Sequence, residues 1–267
     1  MKRKSLGFYI RIYFKILAQD FKSKMSYRAD FIISTIGMIF TNISGFVTFW
    51  ILFKNFPSIN GWGYYEMLFL YGFSLISITP VQCFFDNNWN LRQQVYSGDF
   101  IKYCFRPINL FFYFQSEVFD VKGLGQLAFG IGTLVYAWIK LGIPCTVLMI
   151  LKVIIFLITA SLIMISLQTA AAATCFWIIN SFYVLDLAYK FRDFAKYPMT
   201  IFNSVFKFIF TFIIPIAFIA YYPSLVILRP DEIPLLSWLS PVFGIFFFFL
   251  SYKFWMYGAT RYDGTGS

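Results

Sequence analysis

FIISTIGMIFTNISGFVTFWILF, residues 31–53, is a run of 23 residues without one charged side chain. As a helix rising 1.5 Å per residue it is about 35 Å long, enough to cross a hydrocarbon core of about 30 Å. In lipid every backbone N–H and C=O must find its partner within the protein, and a single apolar run achieves that as a helix. The rest of the chain agrees. Hydrophobic residues make up 60% and charged residues 13%, against roughly 25% charged in soluble domains. With 37 Phe, 18 Tyr and 7 Trp in 267 residues, there is more apolar surface than one soluble core would bury, so much of it faces lipid. The fold class is therefore an all-α integral membrane protein with one transmembrane domain.

Working outward, residues 54–63 hold Pro57, Asn60, Gly61 and Gly63 and read as a turn, after which residues 64–85 form a second span. Residues 86–117 are polar, then amphipathic and aromatic, and fit a loop with a short interfacial helix. Residues 118–139 give a third span with Asp120 and Lys122 at its entrance. Its Gly123, Gly125, Gly130 and Gly132 are read as ordinary membrane-helix composition rather than a packing motif. From Leu141 to Leu185 the only charge is Lys152, so two further spans are placed at 143–167 and 169–190, with a turn near Gln168 to Thr174 that no Gly or Pro marks. If the fourth span starts near Leu141, Lys152 lies about 16 Å down it, near the midplane. An intramembrane charge is a functional candidate, with Glu66, Glu117 or Asp120 as partners. The last span is 237–257.

Residues 197–228 are apolar but are interrupted by Lys207 and Pro215 and edged by Pro198 and Pro223. Proline removes a backbone donor and breaks a helix, which predicts two half-helices dipping into the membrane. Pro215, Tyr221, Tyr222 and Pro223 are its candidate gate residues. The alternative, a fifth span across 197–222, would put Lys190, Arg192 and Lys196 on the cytoplasmic side; the six-span map puts them outside, against the positive-inside tendency.

Eight of the 22 basic residues fall within the first 28 positions, which places the amino terminus in the cytoplasm of a multi-pass plasma-membrane protein, with the carboxyl terminus on the same side. Residues 1–28 predict an amphipathic helix on the membrane surface, since Lys4, Arg11, Lys15 and Lys22 share a narrow stripe at 100° per residue. Arg11 and Lys15 interrupt any signal-peptide core. The basic clusters sit in no recognisable nucleic-acid module, so no nucleic acid is expected as partner. Cys83, Cys104, Cys145 and Cys175 form no CxxC pair and His is absent, so a metal site is not expected.

Taken in order, the basic amino-terminal helix ending in YRADF (27–31), SGDFIKYCFRPIN (97–109), AKYPMTIFNSVFKFIFTFIIPIAFIAYYPSLVIL (195–228) and the terminal RYDGTGS from Arg261 resemble the permease subunits of type-2 ABC exporters, in a branch of roughly 260-residue, six-span proteins. The resemblance covers nearly the whole chain. It implies a cytoplasmic coupling helix between the second and third spans that docks on an ATPase, carried over to Ser97, Gly98, Asp99, Phe100, Ile101, Arg106 and Pro107. It also implies re-entrant helices on the outer side before the last span, at 197–228. Two permease subunits, identical or related, and two ABC ATPase subunits would complete the transporter.

The chain itself has no GxxxxGK[ST] pattern to cradle phosphates, and no clustered carboxylates or nucleophile motif. It is read as a non-catalytic subunit with no cofactor of its own, ATP and Mg belonging to the partner ATPase. Its abundance of Phe favours an amphipathic or apolar substrate. The competing readings are a secondary transporter, for which an internal repeat and midplane ion sites would be expected, and a membrane assembly or immunity partner that does not transport.

Overall fold

The computed structural model describes residues 5–24, 28–230 and 233–262. Lys4, Tyr27 and the terminal residues from 263 onward lie outside the described residues. The chain is 79% helical with no strand among the described residues. The helices are α1 (Leu6–Lys24), α2 (Arg28–Asn55), α3 (Tyr64–Phe84), α4 (Asn88–Tyr96), α5 (Ile101–Cys104), α6 (Leu110–Ser116), α7 (Lys122–Lys140), α8 (Val147–Ala173), α9 (Phe182–Phe191), α10 (Ser204–Phe208), α11 (Tyr221–Leu228) and α12 (Leu235–Thr260).

Four helical segments are long and apolar enough to cross a membrane: Ile32–Asn55, Tyr64–Tyr96, Val147–Phe176 and Leu235–Thr260. The bent pair Ser204–Ile213 and Ile216–Leu228 would make five if counted as one span. The protein is accordingly a multi-pass membrane protein. The apolar residues of α3 lie on every side of the helix, and Met67 to Phe73 are all buried, so α3 is the central element. α7 runs along it, α8 packs against both α3 and α12, and α2 lies outside.

Two close approaches set this packing. A Cβ on Gly72 would lie 2.7 Å from the Leu134 backbone nitrogen and 3.0 Å from the Gly130 carbonyl oxygen. A Cβ on Gly244 of α12 would collide with the Thr159 carbonyl of α8. Small residues let helix backbones touch where lipid supplies no hydrophobic drive for association. The reading of the 123–132 glycines as mere composition therefore fails at Gly123 and Gly130, where a Cβ would crowd Cys83 and Leu75 of α3, whereas a Cβ on Gly132 would meet nothing.

The molecule has two ends, here called the crown, at the 56–63 loop, and the base, at α4–α6. α8 continues through the turn expected near Gln168–Thr174 and stops at Ala173, with a 3-10 turn at Thr174–Phe176 and a break before α9. The Ala-rich run 170–173 keeps good helix propensity past the expected boundary, so α8 is one helix of 27 residues. The segment placed at 169–190 is thus displaced. Arg92 Nε of α4 donates to the Ile179 carbonyl at 2.8 Å, and Asn60 Nδ2 of the crown loop donates to the Thr200 carbonyl at 3.0 Å. Residues 179–200 therefore run from base to crown, as α9 followed by a 3-10 turn at Arg192–Lys196. Arg192 and Lys196, expected outside, lie part-way along this traverse.

From the crown the chain turns inward through α10 and a π-helical turn at Ile209–Ile213, bends by 73°, and returns through Ile216–Leu228. Arg229 Nη2 then donates to the Gly61 carbonyl at 2.7 Å, which puts the exit of the pair back at the crown. Pro215, at the bend, has no N–H to continue the helix.

Candidate functional site

At the base, α4 ends in a Ser-Gly-Asp turn. Gly98 has a φ of 84°, a left-handed conformation that glycine adopts without steric cost, and Ser97 Oγ donates to Asp99 Oδ2 at 2.7 Å. The turn drives Phe100 inward. Its ring is fully buried among those of Tyr103, Phe114, Phe176, Trp255 and Tyr262. The Tyr262 hydroxyl donates back to the Gly98 carbonyl at 3.0 Å. Tyr103 donates to the Glu117 carboxylate, which Lys102 also approaches at 3.4 Å. Burial, followed by the Glu117 hydrogen bond, raises the Tyr103 phenol above its ordinary range.

What remains outside is a compact surface. Ser97, Asp99, Ile101, Arg106 and Pro107 are all exposed, and the Arg106 guanidinium lies 5.8 Å from the centre of the Tyr113 ring. Phe100 differs from these sequence-predicted residues, being the anchor beneath the surface, while Gly98 supplies the turn. The sequence reading missed Phe105, 79% exposed, and Tyr96, 67% exposed. Helical spacing carried the signal: Phe100 and Tyr103, three apart, share the buried face, so Ile101 and Phe105, four apart, share the outer one.

A second constellation lies deeper. A polar cavity of about 280 Å³ is bounded by α2, α3, α7 and residues 192–196. The α3 residues along it run from Tyr71 to Ile78, the middle of that helix, so the cavity sits at mid-height of the bundle, between α3 and the outer helix α2. Arg192, Asp193 and Lys196 reach it from the base-to-crown traverse.

Of the candidate gate residues on the bent pair, Tyr221 and Tyr222 are 7% and 4% exposed, and Pro215 and Pro223 are buried. Tyr222 Oη lies 3.4 Å from Thr211 Oγ1 across the bend, and Tyr221 packs on Trp62, over which the Arg229 guanidinium sits at 4.3 Å. The apex residues Ile213 and Pro215 share a cleft with Ser166 and Ala170 of α8 and Phe247 and Phe254 of α12, so the pair dips well into the bundle.

Lys152 is shallower than expected. α8 starts at Val147, which leaves Lys152 only about 8 Å along it, and its ammonium lies 5.5 Å from the centre of the Trp238 ring near the start of α12. None of its expected partners meets it: Glu66 is 3.5 Å from Arg229, Glu117 is held by Lys102 and Tyr103, and Asp120 accepts from the Lys122 backbone. Arg11, Lys15 and Lys22 are exposed on α1, beside a second exposed stripe of Leu6, Ile10 and Phe14. α1 is held at the base, where Tyr9 meets Phe112 and Phe21 stacks on Phe119.

No curated protein and no solved structure matches the chain. Residues 36–266 match the family described as ABC-2 family transporter protein, a stretch that contains the base loop, the polar cavity and the bent helix pair. With that match extending over most of its length, the chain belongs to the ABC-2 transporter family, as a type-2 ABC transporter permease.

Proposed function

We propose that this permease is the membrane-spanning subunit of an ATP-driven exporter, working as a pair of permeases with two separate ABC ATPases. The observation that carries the reading is the division of labour between the ends. The base presents an exposed apolar and basic knob, Ile101, Phe105 and Arg106, on a rigid aromatic anchor. The crown end carries a re-entrant pair broken at Pro215. A docking knob at one end and a broken helix pair at the other are the parts needed to pass a push from an ATPase to a gate. On this reading the base, both termini and α1 are cytoplasmic in the plasma membrane. α2, α3, α7, α8, residues 179–200 and α12 are the six crossings, and Tyr197 to Leu228 includes the outer gate.

The exposed stripes of α1 fit the membrane surface, with Leu6, Ile10 and Phe14 in the acyl boundary and the cations at the headgroups. The substrate travels between the two permeases and is amphipathic. Asp193 supports this path: its side chain is 69% exposed although it lies beside the mid-bundle cavity, and an ionised carboxylate at that depth is costly against hydrocarbon. Its face therefore borders a second chain or a hydrated passage.

Affinity purification of the tagged chain from its native membrane, with mass spectrometry and an ATP-hydrolysis assay, tests the proposal. Recovery of a Walker-type ATPase with vanadate-sensitive activity supports it. Repeated recovery of the chain without an ATPase would overturn it in favour of a secondary transporter or a non-transporting partner.

A further inference from the structure

The cavity between α2, α3, α7 and the 192–196 turn carries more cationic than anionic charge. Arg192 and Lys196 bring two positive charges and Asp193 one negative charge. Arg192 Nε lies 3.8 Å from Asp193 Oδ1, and the guanidinium carbon lies 3.6 Å from the centre of the Tyr189 ring. That arrangement leaves Arg192 Nη1 buried with no acceptor in the protein. Lys196 faces the Tyr71 and Tyr197 rings at 6.0 and 5.5 Å and has no ion-pair partner among the described residues.

A neutral donor adds to these charges. Asn42 lines the same cavity and is 4% exposed, yet its Nδ2 has no hydrogen-bond partner in the protein. A buried amide donor or guanidinium nitrogen left unpaired costs free energy, so two of them lining one cavity call for an acceptor there, a water or an ion. Other polar groups around the cavity are already committed: the Tyr71 hydroxyl donates to the Asn42 carbonyl at 2.9 Å, and Gln126 Nε2 donates to the Leu75 carbonyl at 3.1 Å. The buried side-chain atoms along the cavity that lack a partner are thus both donors, Asn42 Nδ2 and Arg192 Nη1, and the Lys196 ammonium stands beside them. They ask for an acceptor with negative charge.

Size and access narrow the choice. A volume of about 280 Å³ falls at the lower edge of the roughly 300–1,000 Å³ typical of small-molecule sites, which fits one polar group and its water rather than a whole amphiphile. The cavity is reached past Thr41, Ser44 and Thr48 of α2, all exposed. Thr41 and Thr48 donate their hydroxyls to the Gly37 and Ser44 carbonyls of their own helix, so their oxygens turn only acceptor capacity outward. The mouth lies on the side of the bundle, where an apolar tail would remain outside along α2.

We propose that this cavity binds the phosphate or carboxylate group of the transported molecule, with Arg192, Lys196 and Asn42 as its donors. The assignment rests on the exporter reading for the word transported, and on the geometry alone for the binding of an oxyanion. Arg192 is the oriented, buried donor and Lys196 the adaptable charge, as the two side chains differ in donor geometry. Asp193 neutralises one charge and selects against a neutral or cationic headgroup less strongly than an all-cationic site would.

The test uses the full chain with its co-purifying partners in nanodiscs of zwitterionic lipid, and pyrene-labelled hexadecyl phosphate as probe. The matching pyrene-labelled hexadecanol is the neutral control. Saturable binding of the phosphate probe well above that of the alcohol is expected, weakened about tenfold or more by Arg192→Gln or Lys196→Gln and largely restored by Lys196→Arg. Competition by millimolar inorganic phosphate would identify a free anion as the natural source of the group; its absence would identify a lipid-borne headgroup.

Equal binding of phosphate and alcohol by the wild-type protein would overturn the proposal, and so would unchanged binding in both folded glutamine variants. The wild-type comparison needs no variant to fold. Probe binding without any ATPase in the preparation would leave the cavity assignment standing while overturning the exporter reading, and an ATPase with no probe discrimination would do the reverse.

Discussion

The ring of Phe100 meets that of Trp255 edge-on with centroids 6.0 Å apart, and so ties the turn after α4 to the last long helix of the chain. Phe100 is fully buried, while Ile101, next to it, is 44% exposed. The two positions therefore fail differently. Phe100→Ala removes a buried ring and is expected to cost about 3–5 kcal/mol, read as a lowered unfolding temperature and a lower yield of folded protein. Ile101→Asp and Phe105→Asp leave that yield unchanged but reduce recovery of the ATPase in a pull-down by tenfold or more. Unchanged ATPase recovery by both surface variants would remove the knob from the docking site.

The α3–α7 seam makes a prediction with an internal control. Gly130→Leu must displace the Leu75 and Ile76 side chains, whose atoms lie at 3.0 and 3.1 Å from the position of a Cβ, and overpacking of this kind costs about 1–3 kcal/mol. Gly132→Ala, two residues along the same helix, meets nothing within 4 Å and should leave thermal stability unchanged. Comparable melting temperatures for the two variants would show that the seam does not constrain the helix pair.

Lys152→Met should retain transport and folded yield. At about 8 Å from the start of its helix the ammonium can snorkel to the interface beside Trp238, and it has no ion-pair partner among the described residues. A transport assay in vesicles showing more than a tenfold loss would return Lys152 to the pathway.

Arg229 lies between Glu66, at 3.5 Å, and the face of Trp62. The pair with Glu66 is long and partly exposed, with side-chain exposures of 32% and 21%, so a double-mutant cycle between Arg229→Gln and Glu66→Gln should give a coupling below about 1 kcal/mol. Arg229→Gln alone should cost more than this coupling, because it also gives up the Gly61 carbonyl and the Trp62 face. A coupling above about 2 kcal/mol would show the crown to be held by the ion pair instead.

Much of this architecture was legible because membrane physics writes it into composition. Charge-free runs such as 31–53 announce their length, and Pro215 announces a break, since a missing N–H has the same effect wherever it occurs. The traverse at 179–200 was not legible in the same way. It is short, carries Arg192, Asp193 and Lys196, and follows an Ala-rich stretch that lets α8 run past the expected turn, so hydropathy gave it no outline. The base loop was half legible: a Ser-Gly-Asp turn and an Arg-Pro pair mark its place, but which ring turns inward depends on Trp255 and Tyr262, more than 150 residues away in sequence. The polar cavity was illegible, since Asn42 belongs to α2 and Lys196 to a different traverse, and only folding brings them to one space.

The glycine seam between α3 and α7 has a mechanical consequence. Backbones in contact over Gly72 and Gly130 slide or tilt only at the cost of steric overlap, so α3 and α7 behave as a single strut, braced on α3 by α8, which is itself backed by α12. α2 is held more lightly: only 11% of its apolar window is buried, and its close approach at Gly45 is to a side chain, the Tyr71 ring of α3, rather than to a backbone. If the chain is driven from the base as proposed, the stroke is expected to appear as a swing of α2 against the α3–α7 frame.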